Sequence, residues 1–309
     1  HREQLEKHFR LVLPPREACL LALDKAATGR VAEAAGVPTA RSVTEPLSLS
    51  PDALADAGGL GFPVIVKPLC GIDFQRFYAA KVLIAKDAAE LGKMLDECRK
   101  HSFDVLLQDI IPPEGHVGAY SAYVARSGRI VQDYSSRRLG LFPPVHGIGY
   151  FERSEFIEGI MRGGRKFIEA SGFTGALVNI DFKFDTRDGV WRLLDFNARS
   201  WRQVSMASHV GLDVTGAILA DYTGAPFPRV REPRWGVHWI YLKEALLVGR
   251  GYPDHRPPLG DYVAFLTSGP HWGLFDLGDL RPFLWDIAPL VKRRLHRSSP
   301  HQRSPDIEM

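Results

Sequence analysis

The chain has 309 residues, 45% of them hydrophobic and 24% charged, which is typical of a globular protein with two or three packed lobes. Its formal net charge of +3 is too small to indicate nucleic-acid binding, and no apolar run approaches the roughly 20 residues of a membrane span. The three cysteines have no metal-ligand spacing and no signal peptide is visible, so we expect a cytoplasmic protein with reduced thiols and no nucleic-acid or membrane partner.

The N-terminal part predicts helices followed by a buried strand. Residues 1–13 predict a helix that leads into a strand in FRLVLP, which Pro14-Pro15 stops. Glu17–Gly36 has apolar residues at helical spacing and predicts one or two helices, broken at Gly29. A strand is predicted at Phe62–Val66, where five residues read FPVIV.

Lys67 directly follows this buried strand. A charged ammonium at such a position needs an anionic partner, because leaving it unpaired is costly. The alternative is a lysine whose stem packs along the strand while its head reaches water. The sequence therefore makes Lys67 a candidate anion-binding residue and leaves that alternative open.

The next segment predicts an α+β lobe with an antiparallel sheet. Its predicted elements are a flexible loop at Leu69–Ala79, a strand at Lys81–Ala85, a helix at Asp87–Lys100 capped by Asp87, a strand at Asp104–Ile111, and a hairpin of Tyr120–Ala125 with Arg129–Tyr134.

Ser136–Tyr150 is rich in glycine and proline, and we therefore predict a loop there. It carries Arg137, Arg138 and His146. Adjacent arginines beside glycines suit the recognition of phosphate or carboxylate groups. A solvated charged loop is the alternative interpretation.

A second hairpin follows a predicted helix at Ser154–Ser171. Its strands, Leu177–Phe184 and Val190–Phe196, flank a turn-forming DTRDG sequence. Since side chains alternate between the faces of a strand, pairing across this turn can bring Asp181 close to Asp195 and Asn197. Carboxylate and amide oxygens are the ligands that suit Mg²⁺, and a cation would offset the repulsion between the two acids. A surface hairpin with scattered acids is the alternative.

The remaining chain predicts helices and a C-terminal extension. Helices are expected at Arg202–Gly211 and at Val214–Tyr222, the latter capped by Asp213. Past Pro226 the chain is rich in aromatic residues and includes an amphipathic helix within Gly278–Leu295.

Four sequence features together resemble the ATP-grasp superfamily, and its carboxylate–amine ligases in particular. The resemblance covers roughly Ala18 to Pro226. The features occur in the order DK…GVP, FPVIVKP, QDII and DFK…LLDFNARSW. Each motif is weak by itself, whereas the four in sequence with sensible separations form a specific pattern.

The resemblance implies a role for each matching residue. Lys25 and Lys67 would contact ATP phosphates, and Lys67 and Arg199 are the expected catalytic residues, with Arg199 near the acyl phosphate or the substrate carboxylate. The backbone of the inter-lobe hinge would contact adenine, and Glu114 would hold the ribose. The hinge consists of Gln108, Asp109, Ile110 and Ile111. Asp181, Asp195 and Asn197 would bind Mg²⁺, with Mn²⁺ as an alternative, and Arg137 and Arg138 would lie near the acceptor site.

The resemblance also implies an α+β ATP-grasp fold in which two lobes hold ATP between antiparallel sheets. The expected divisions are a 1–15 tail of a largely missing upstream domain, lobes at 16–110 and 111–228, a helical and aromatic extension at 229–297, and a disordered tail at 298–309. Two departures stand out, because the family usually has E-I-N-P-R where this chain has Asp195 to Arg199, and often Glu where it has Asp181.

The implied activity is ATP-dependent joining of a small carboxylate to a small amine through an acyl phosphate, with release of ADP and phosphate. The alternatives are a carboxylase-type or phosphotransfer ATP-grasp enzyme, and a regulatory protein that binds ATP without turnover. The identities of the acid and the amine are left open, and so is the oligomeric state, with a homodimer among the assemblies considered.

Overall fold

The structure, a computed structural model, describes residues 1–144 and 147–295. The chain divides into two compact units. Unit 1 consists of His1–Arg138 and Arg153–Val237, and unit 2 consists of Leu139–Glu152 and the chain from His238 onward. The predicted disordered tail at 298–309 and His146 of the predicted loop lie outside the described residues.

The α-helices of the described residues are α1 (Arg2–Glu6), α2 (Arg16–Leu23), α3 (Lys25–Ala34), α4 (Pro51–Leu54), α5 (Gly71–Tyr78), α6 (Ala88–Lys100), α7 (Glu158–Ser171), α8 (Met206–His209), α9 (Val214–Thr223), α10 (Leu242–Gly251), α11 (Leu259–Thr267) and α12 (Arg281–Leu295). Within this part of the chain, none of these helices is both long and apolar enough to cross a membrane.

The β-strands of the same residues are β1 (Ser42–Val43), β2 (Val64–Pro68), β3 (Leu83–Ala85), β4 (Val105–Asp109), β5 (Val117–Val124), β6 (Ile130–Phe142), β7 (Ile148–Ser154), β8 (Ala176–Asp185), β9 (Val190–Asn197), β10 (His238–Ile240) and β11 (His271–Trp272). The α+β class predicted from the sequence is thus confirmed.

The first sheet of unit 1 is antiparallel, with the strand order β1-β4-β2-β3. Val64 and Val66 of β2 and Leu107 of β4 are buried in the same core as Phe74 of α5 and Leu91 of α6. The alternation of buried and half-buried residues in β2 leaves Lys67 half-buried next to the last strand residue. This packing fixes the strand that presents Lys67.

The second sheet of unit 1 is formed by β6 as far as Arg138, β5, β8 and β9, in that order and antiparallel throughout. One face is covered by α7, where Ile160 and Phe167 lie in a core with Tyr120, Ile180 and Phe182 of the sheet. The opposite face carries Asp181 and Asp195 and is called the site face below.

Unit 2 contains the parallel pair β10 and β11 and a small aromatic core that includes Tyr150, Phe151, Ile240 and Phe265. The boundaries predicted for the two lobes and for the C-terminal extension remain predictions.

The predicted flexible loop at Leu69–Ala79 is wrong, because residues 71–78 form α5. Phe74 is fully buried, and its ring packs against Tyr78 and Phe103. Phe74 and Tyr78 therefore cover one side of a helix. The chain leaves the helix at Ala79, whose φ of 54° is left-handed.

The loop predicted at Ser136–Tyr150 is also wrong over most of its length, because β6 continues to Phe142 and β7 begins at Ile148. The loop was predicted from the glycine and proline content of this segment, and Gly140 shows why that content was misleading. A Cβ atom at Gly140 would lie 2.5 Å from the ring of Tyr150, so this glycine allows close contact inside a regular strand.

Three smaller predictions need correction in the N-terminal and central parts of unit 1. The FRLVLP segment forms no strand, and only Met206–His209 of the helix predicted at Arg202–Gly211 is helical. The break between the first long helices lies at Asp24, which caps α3 by accepting bonds from the amides of Ala26 and Ala27. Gly29 lies inside α3, since a helix interior tolerates an isolated glycine.

Candidate functional site

A β-bulge in β9 positions the two acidic residues of the hairpin. Asp181 lies opposite Asp195, whereas Phe182 lies opposite Leu193, so Leu194 has no cross-strand partner in the register. An extra residue of this kind bends a strand and redirects its side chains. Directly opposite residues point to the same face of a sheet, and the bulge therefore places both carboxylates together on the site face.

Each carboxylate is paired with a basic side chain from a different element. Lys25 Nζ lies 2.6 Å from Asp195 Oδ1, and Lys25 is the first residue of α3. Arg138, on β6, donates a hydrogen bond from Nη2 to Asp181 Oδ1. The side chains of Arg138 and Asp181 are only 10% and 19% exposed, so this pair is shielded from solvent.

Lys67 approaches the carboxylate pair from the first sheet. Its Nζ donates to the carbonyl oxygen of Leu194 at 3.4 Å. Burial and, after it, the charge of Lys25 lower the pKa of Lys67 to about 8, against the opposing effect of the charges of Asp195 and Asp181. Lys67 therefore lies in the electrostatic field of both carboxylates.

The pKa of Asp181 reflects its burial and the charged groups around it. The pKa of its carboxyl group is raised, mainly by burial. The charges of Arg138 and Arg199 oppose this rise, and the charge of Asp195 adds to it. A further cation between the two acids would favour their ionised forms.

Asn197 and Arg199 lie at the end of β9. Asn197 is opposite Asn179, two residues along the hairpin from the carboxylate pair. Arg199 is exposed; it donates from Nη2 to Asn197 Oδ1 at 3.1 Å and from Nη1 to the carbonyl of Ser200 at 3.0 Å. The predicted metal ligand Asn197 is therefore near the carboxylates and hydrogen-bonded to the predicted catalytic arginine.

Arg137 and Arg138 point to opposite faces of the sheet, although the family resemblance implied that both lie near the acceptor site. Arg137 lies opposite Gly118, where an added Cβ would meet Ile160 of α7 at 2.5 Å. Arg137 binds Glu155 through two bonds of 2.9 and 2.6 Å. Side chains alternate along a strand, so only Arg138 joins the site face.

The predicted hinge is the end of β4 and the residues after it. Gln108 and Asp109 are the last residues of β4, and Ile110 and Ile111 follow. Glu114 is exposed in the turn before β5. Phe184 of β8 donates its amide to the carbonyl of His116 at 2.8 Å, which holds this turn against the hairpin.

Lys183 lies on the site face and is not among the residues that the sequence predicted for the site. It lies two residues from Asp181 on the site face, and its Nζ donates to the carbonyl of Ile111 at 3.0 Å. Burial lowers the pKa of Lys183, while the charges of Glu114 and Asp185 oppose the shift. The signal in the sequence is its two-residue spacing from Asp181, which places both side chains on one face of a strand.

A second missed feature ties the hairpin turn to the hinge. Arg187 binds Asp185 at 2.7 Å and Asp109 at 3.0 Å, and Arg192 binds Asp185 at 2.8 Å. The Asp185 side chain is fully buried, and its bonds to Arg187 hold the pKa of its carboxyl group well below the usual range. These ion pairs, called the turn clasp below, link the end of β4 to the hairpin.

The donor set on the site face suits a small divalent cation. Two adjacent carboxylates and an amide are hard oxygen donors, and Mg²⁺ commonly combines one or two carboxylates with water and substrate phosphates. No group of three or more His, Cys, Asp or Glu side chains is placed to hold a metal in the part of the chain that the structure describes. The predicted ligands Asp181, Asp195 and Asn197 contribute only two such residues.

No protein-family model matches this chain. Among curated proteins, a D-aspartate ligase of Enterococcus faecium (strain Aus0004) is 24% identical over 168 residues, which is 52% of this chain and 40% of that protein. Among solved structures, the β-γ-ATP complex of the biotin carboxylase of Campylobacter jejuni has a TM-score of 0.61 and 17% identity, and the match covers 77% of this chain and 54% of that one.

The biotin carboxylase domain of the 2-oxoglutarate carboxylase of Hydrogenobacter thermophilus, solved as a dimer with MgADP, ADP and bicarbonate, is similar to the same degree. Its TM-score is 0.61 at 18% identity, and the match covers 77% of this chain and 53% of that one. These similar proteins are ATP-grasp enzymes, so the ATP-grasp fold expected from the sequence is confirmed. The chain spans about half or less of the length of each of the three proteins.

Proposed function

We propose that this chain, which has the ATP-grasp fold, is an ATP-dependent ligase that joins a carboxylate to an amine and releases ADP and phosphate. One observation carries the proposal. Lys67, from the first sheet of unit 1, and Lys25, from α3, meet the carboxylate pair Asp181 and Asp195 on the site face of the second sheet. Similarity to a D-aspartate ligase supports the carboxylate–amine class.

The nucleotide would lie between the two sheets of unit 1. Lys25 and Lys67 would contact its phosphates, since both ammonium groups lie beside the carboxylate pair. The backbone at Gln108, Asp109, Ile110 and Ile111 would contact the adenine, and Glu114 would hold the ribose. The similar carboxylases were solved with ATP- or ADP-type nucleotides, which supports a nucleotide in this fold.

Asp181, Asp195 and Asn197 would hold Mg²⁺ or Mn²⁺. When bound, the metal would neutralise phosphate charge and orient the γ-phosphate. Asp181 and Asp195 are the appropriate pair because they face one another and repel without a cation.

The reaction itself requires little covalent chemistry from the protein. An oxygen of the acid attacks the γ-phosphorus of ATP, the bond to the β-phosphate oxygen breaks, and ADP leaves. The amine nitrogen then attacks the acyl carbon, inorganic phosphate leaves, and the nitrogen loses a proton. Arg199 and Arg138 would stabilise the carboxylate and the acyl phosphate through charge-assisted hydrogen bonds.

The proposal is tested by measuring ADP release over pairs of acids and amines, with D- and L-aspartate among the acids. We expect ADP release that requires both an acid and an amine, and its loss in Asp195→Ala. Asp96→Ala is the matched control, because Asp96 is an exposed carboxylate on α6 paired only locally with Arg99. Turnover in Asp195→Ala equal to that in Asp96→Ala would exclude the assigned site.

A carboxylase is the second candidate, because two of the similar solved structures are carboxylases and one was solved with bicarbonate. ADP release that requires bicarbonate and no amine would favour this reaction. Tight MgATP binding without ADP release under any combination would instead favour a regulatory nucleotide-binding protein.

A further inference from the structure

We propose that Arg138 competes with the divalent cation for Asp181, and that the guanidinium released by the metal then binds the carboxylate of the acid substrate. The inference rests on the proposed function for the identity of the acid. Its central test uses Mn²⁺ alone and therefore does not depend on turnover.

The position of Arg138 is the first observation. In the second sheet, Arg138 lies opposite Val117, which lies opposite Lys183. The next row of the site face contains Asp181 opposite Ala119. The small side chain of Ala119 leaves room for Arg138 to reach across β5 to the carboxylate.

The charge balance is the second observation. Lys25, Lys67 and Arg138 surround the two carboxylates of Asp181 and Asp195, and the charge of Arg199 acts on Asp181 as well, so the basic groups outnumber the acids. A divalent cation between the acids would leave a large excess of positive charge. Because Arg138 and Asp181 are largely shielded from water, screening would do little to reduce that repulsion.

The three basic groups differ in the anion that each would bind once the metal is present. Lys25 and Lys67 would bind the phosphates of the nucleotide. Arg138 carries a planar guanidinium that can bind a carboxylate through two parallel hydrogen bonds. The acid substrate is therefore the anion best suited to Arg138 once the metal occupies Asp181.

This exchange couples two binding events. Metal binding would raise the affinity for the acid, and the acid would raise the affinity for the metal by the same factor. The acid would bind weakly before the metal, because Arg138 would still be paired with Asp181. Activation would thus begin only after the metal is in place.

The first test measures Mn²⁺ binding to the nucleotide-free protein by electron paramagnetic resonance. Arg138→Gln removes the competing charge, and we expect its Mn²⁺ affinity to exceed that of the wild type by about fivefold or more. Arg138→Lys keeps a competing cation and should stay close to the wild type. Equal or weaker binding by Arg138→Gln, including no detectable binding, would refute the competition.

Two further variants separate competition from a change in folding. Arg165→Gln removes a guanidinium that binds Asp133 at 2.7 and 3.1 Å, and it should leave Mn²⁺ affinity unchanged. In an Asp181→Asn background, Arg138→Gln should no longer raise the affinity. An increase of the same size in that background would show that Arg138 does not act through Asp181.

The second test uses acetate as the simplest carboxylate. Acetate should increase the Mn²⁺ affinity of the wild type and have no such effect on Arg138→Gln. The absence of this difference would exclude Arg138 as the acid-binding group. An unproductive screen of acids and amines would refute the ligase reaction, whereas these Mn²⁺ measurements would still decide the competition for Asp181.

Discussion

The ammonium nitrogen of Lys67 lies 3.4 Å from the carbonyl oxygen of Leu194, the extra residue of the β9 bulge. The bulge disrupts the strand ladder at that residue, and Lys67 donates to its carbonyl. Lys67 belongs to the first sheet of unit 1 and Leu194 to the second. This hydrogen bond therefore joins the two sheets beside the carboxylate pair.

The pKa of about 8 for Lys67 predicts that nucleotide binding depends on pH. Phosphate binds the protonated ammonium, so affinity is high below this pKa and falls as the ammonium loses its proton at higher pH. We expect the affinity for MgADP to fall about tenfold between about pH 7 and about pH 9. Titration calorimetry at a series of pH values measures this change.

Two substitutions serve as controls for that pH dependence. Lys67→Arg retains a charge over the whole range, so its affinity should be nearly constant with pH. Lys67→Met has no charge to lose, and its affinity should be lower but also constant. A fall in either variant as steep as that of the wild type would assign the pH dependence to another group.

Lys183→Met should weaken nucleotide binding. The substitution keeps an unbranched side chain but removes the 3.0 Å bond from Nζ to the Ile111 carbonyl at the hinge. We expect a loss of about five- to tenfold in affinity for MgADP, the effect of one net hydrogen bond. Lys166→Met is the control, because Lys166 is exposed on α7, and unchanged affinity in Lys183→Met would refute the role of Lys183.

Asp185→Asn should destabilise the protein, because it leaves Arg187 and Arg192 of the turn clasp without their buried carboxylate. We expect a loss of about 2–4 kcal/mol in the free energy of unfolding, measured with urea. Asp188→Asn should cost less than about 1 kcal/mol, since the Asp188 side chain is 46% exposed and its charge is screened by solvent.

The same carboxylate predicts a dependence of stability on acid. The folded-state pKa of Asp185 is lowered, so its contribution is complete above the unfolded-state value of about 3.9 and is lost as the pH falls below it. The difference in stability between the wild type and Asp185→Asn should therefore shrink in acid. A difference that grows as the pH falls would contradict this assignment.

Gly115→Ala should disrupt the turn that carries Glu114. A Cβ atom at Gly115 would lie 1.9 Å from the carbonyl oxygen of Phe184, and backbone cannot move aside easily. We expect destabilisation of about 2 kcal/mol or more, measured by thermal unfolding. Gly29→Ala is the matched control: nothing lies within 4 Å of its added Cβ, and alanine should stabilise α3 by about 0.5–1 kcal/mol.

Local patterns were sufficient to predict much of unit 1. Helix α6 with its Asp87 cap, the buried strand before Lys67, and the hairpin of β8 and β9 follow from side-chain periodicity, cap residues and turn residues. These signals act between neighbours in the chain, so the sequence alone contains them. The prediction of a loop failed at Gly140, because this glycine lies in a strand and makes room for the ring of Tyr150.

The sequence by itself determined which groups are available, namely the acids of one hairpin, a lysine after a buried strand and two adjacent arginines. Only the tertiary structure decided which of them meet. The bulge at Leu194 sets Asp181 against Asp195, and strand alternation sends Arg138 toward them and Arg137 away. Strand register and helix packing depend on residues far apart in the chain, and local periodicity carries no information about those partners.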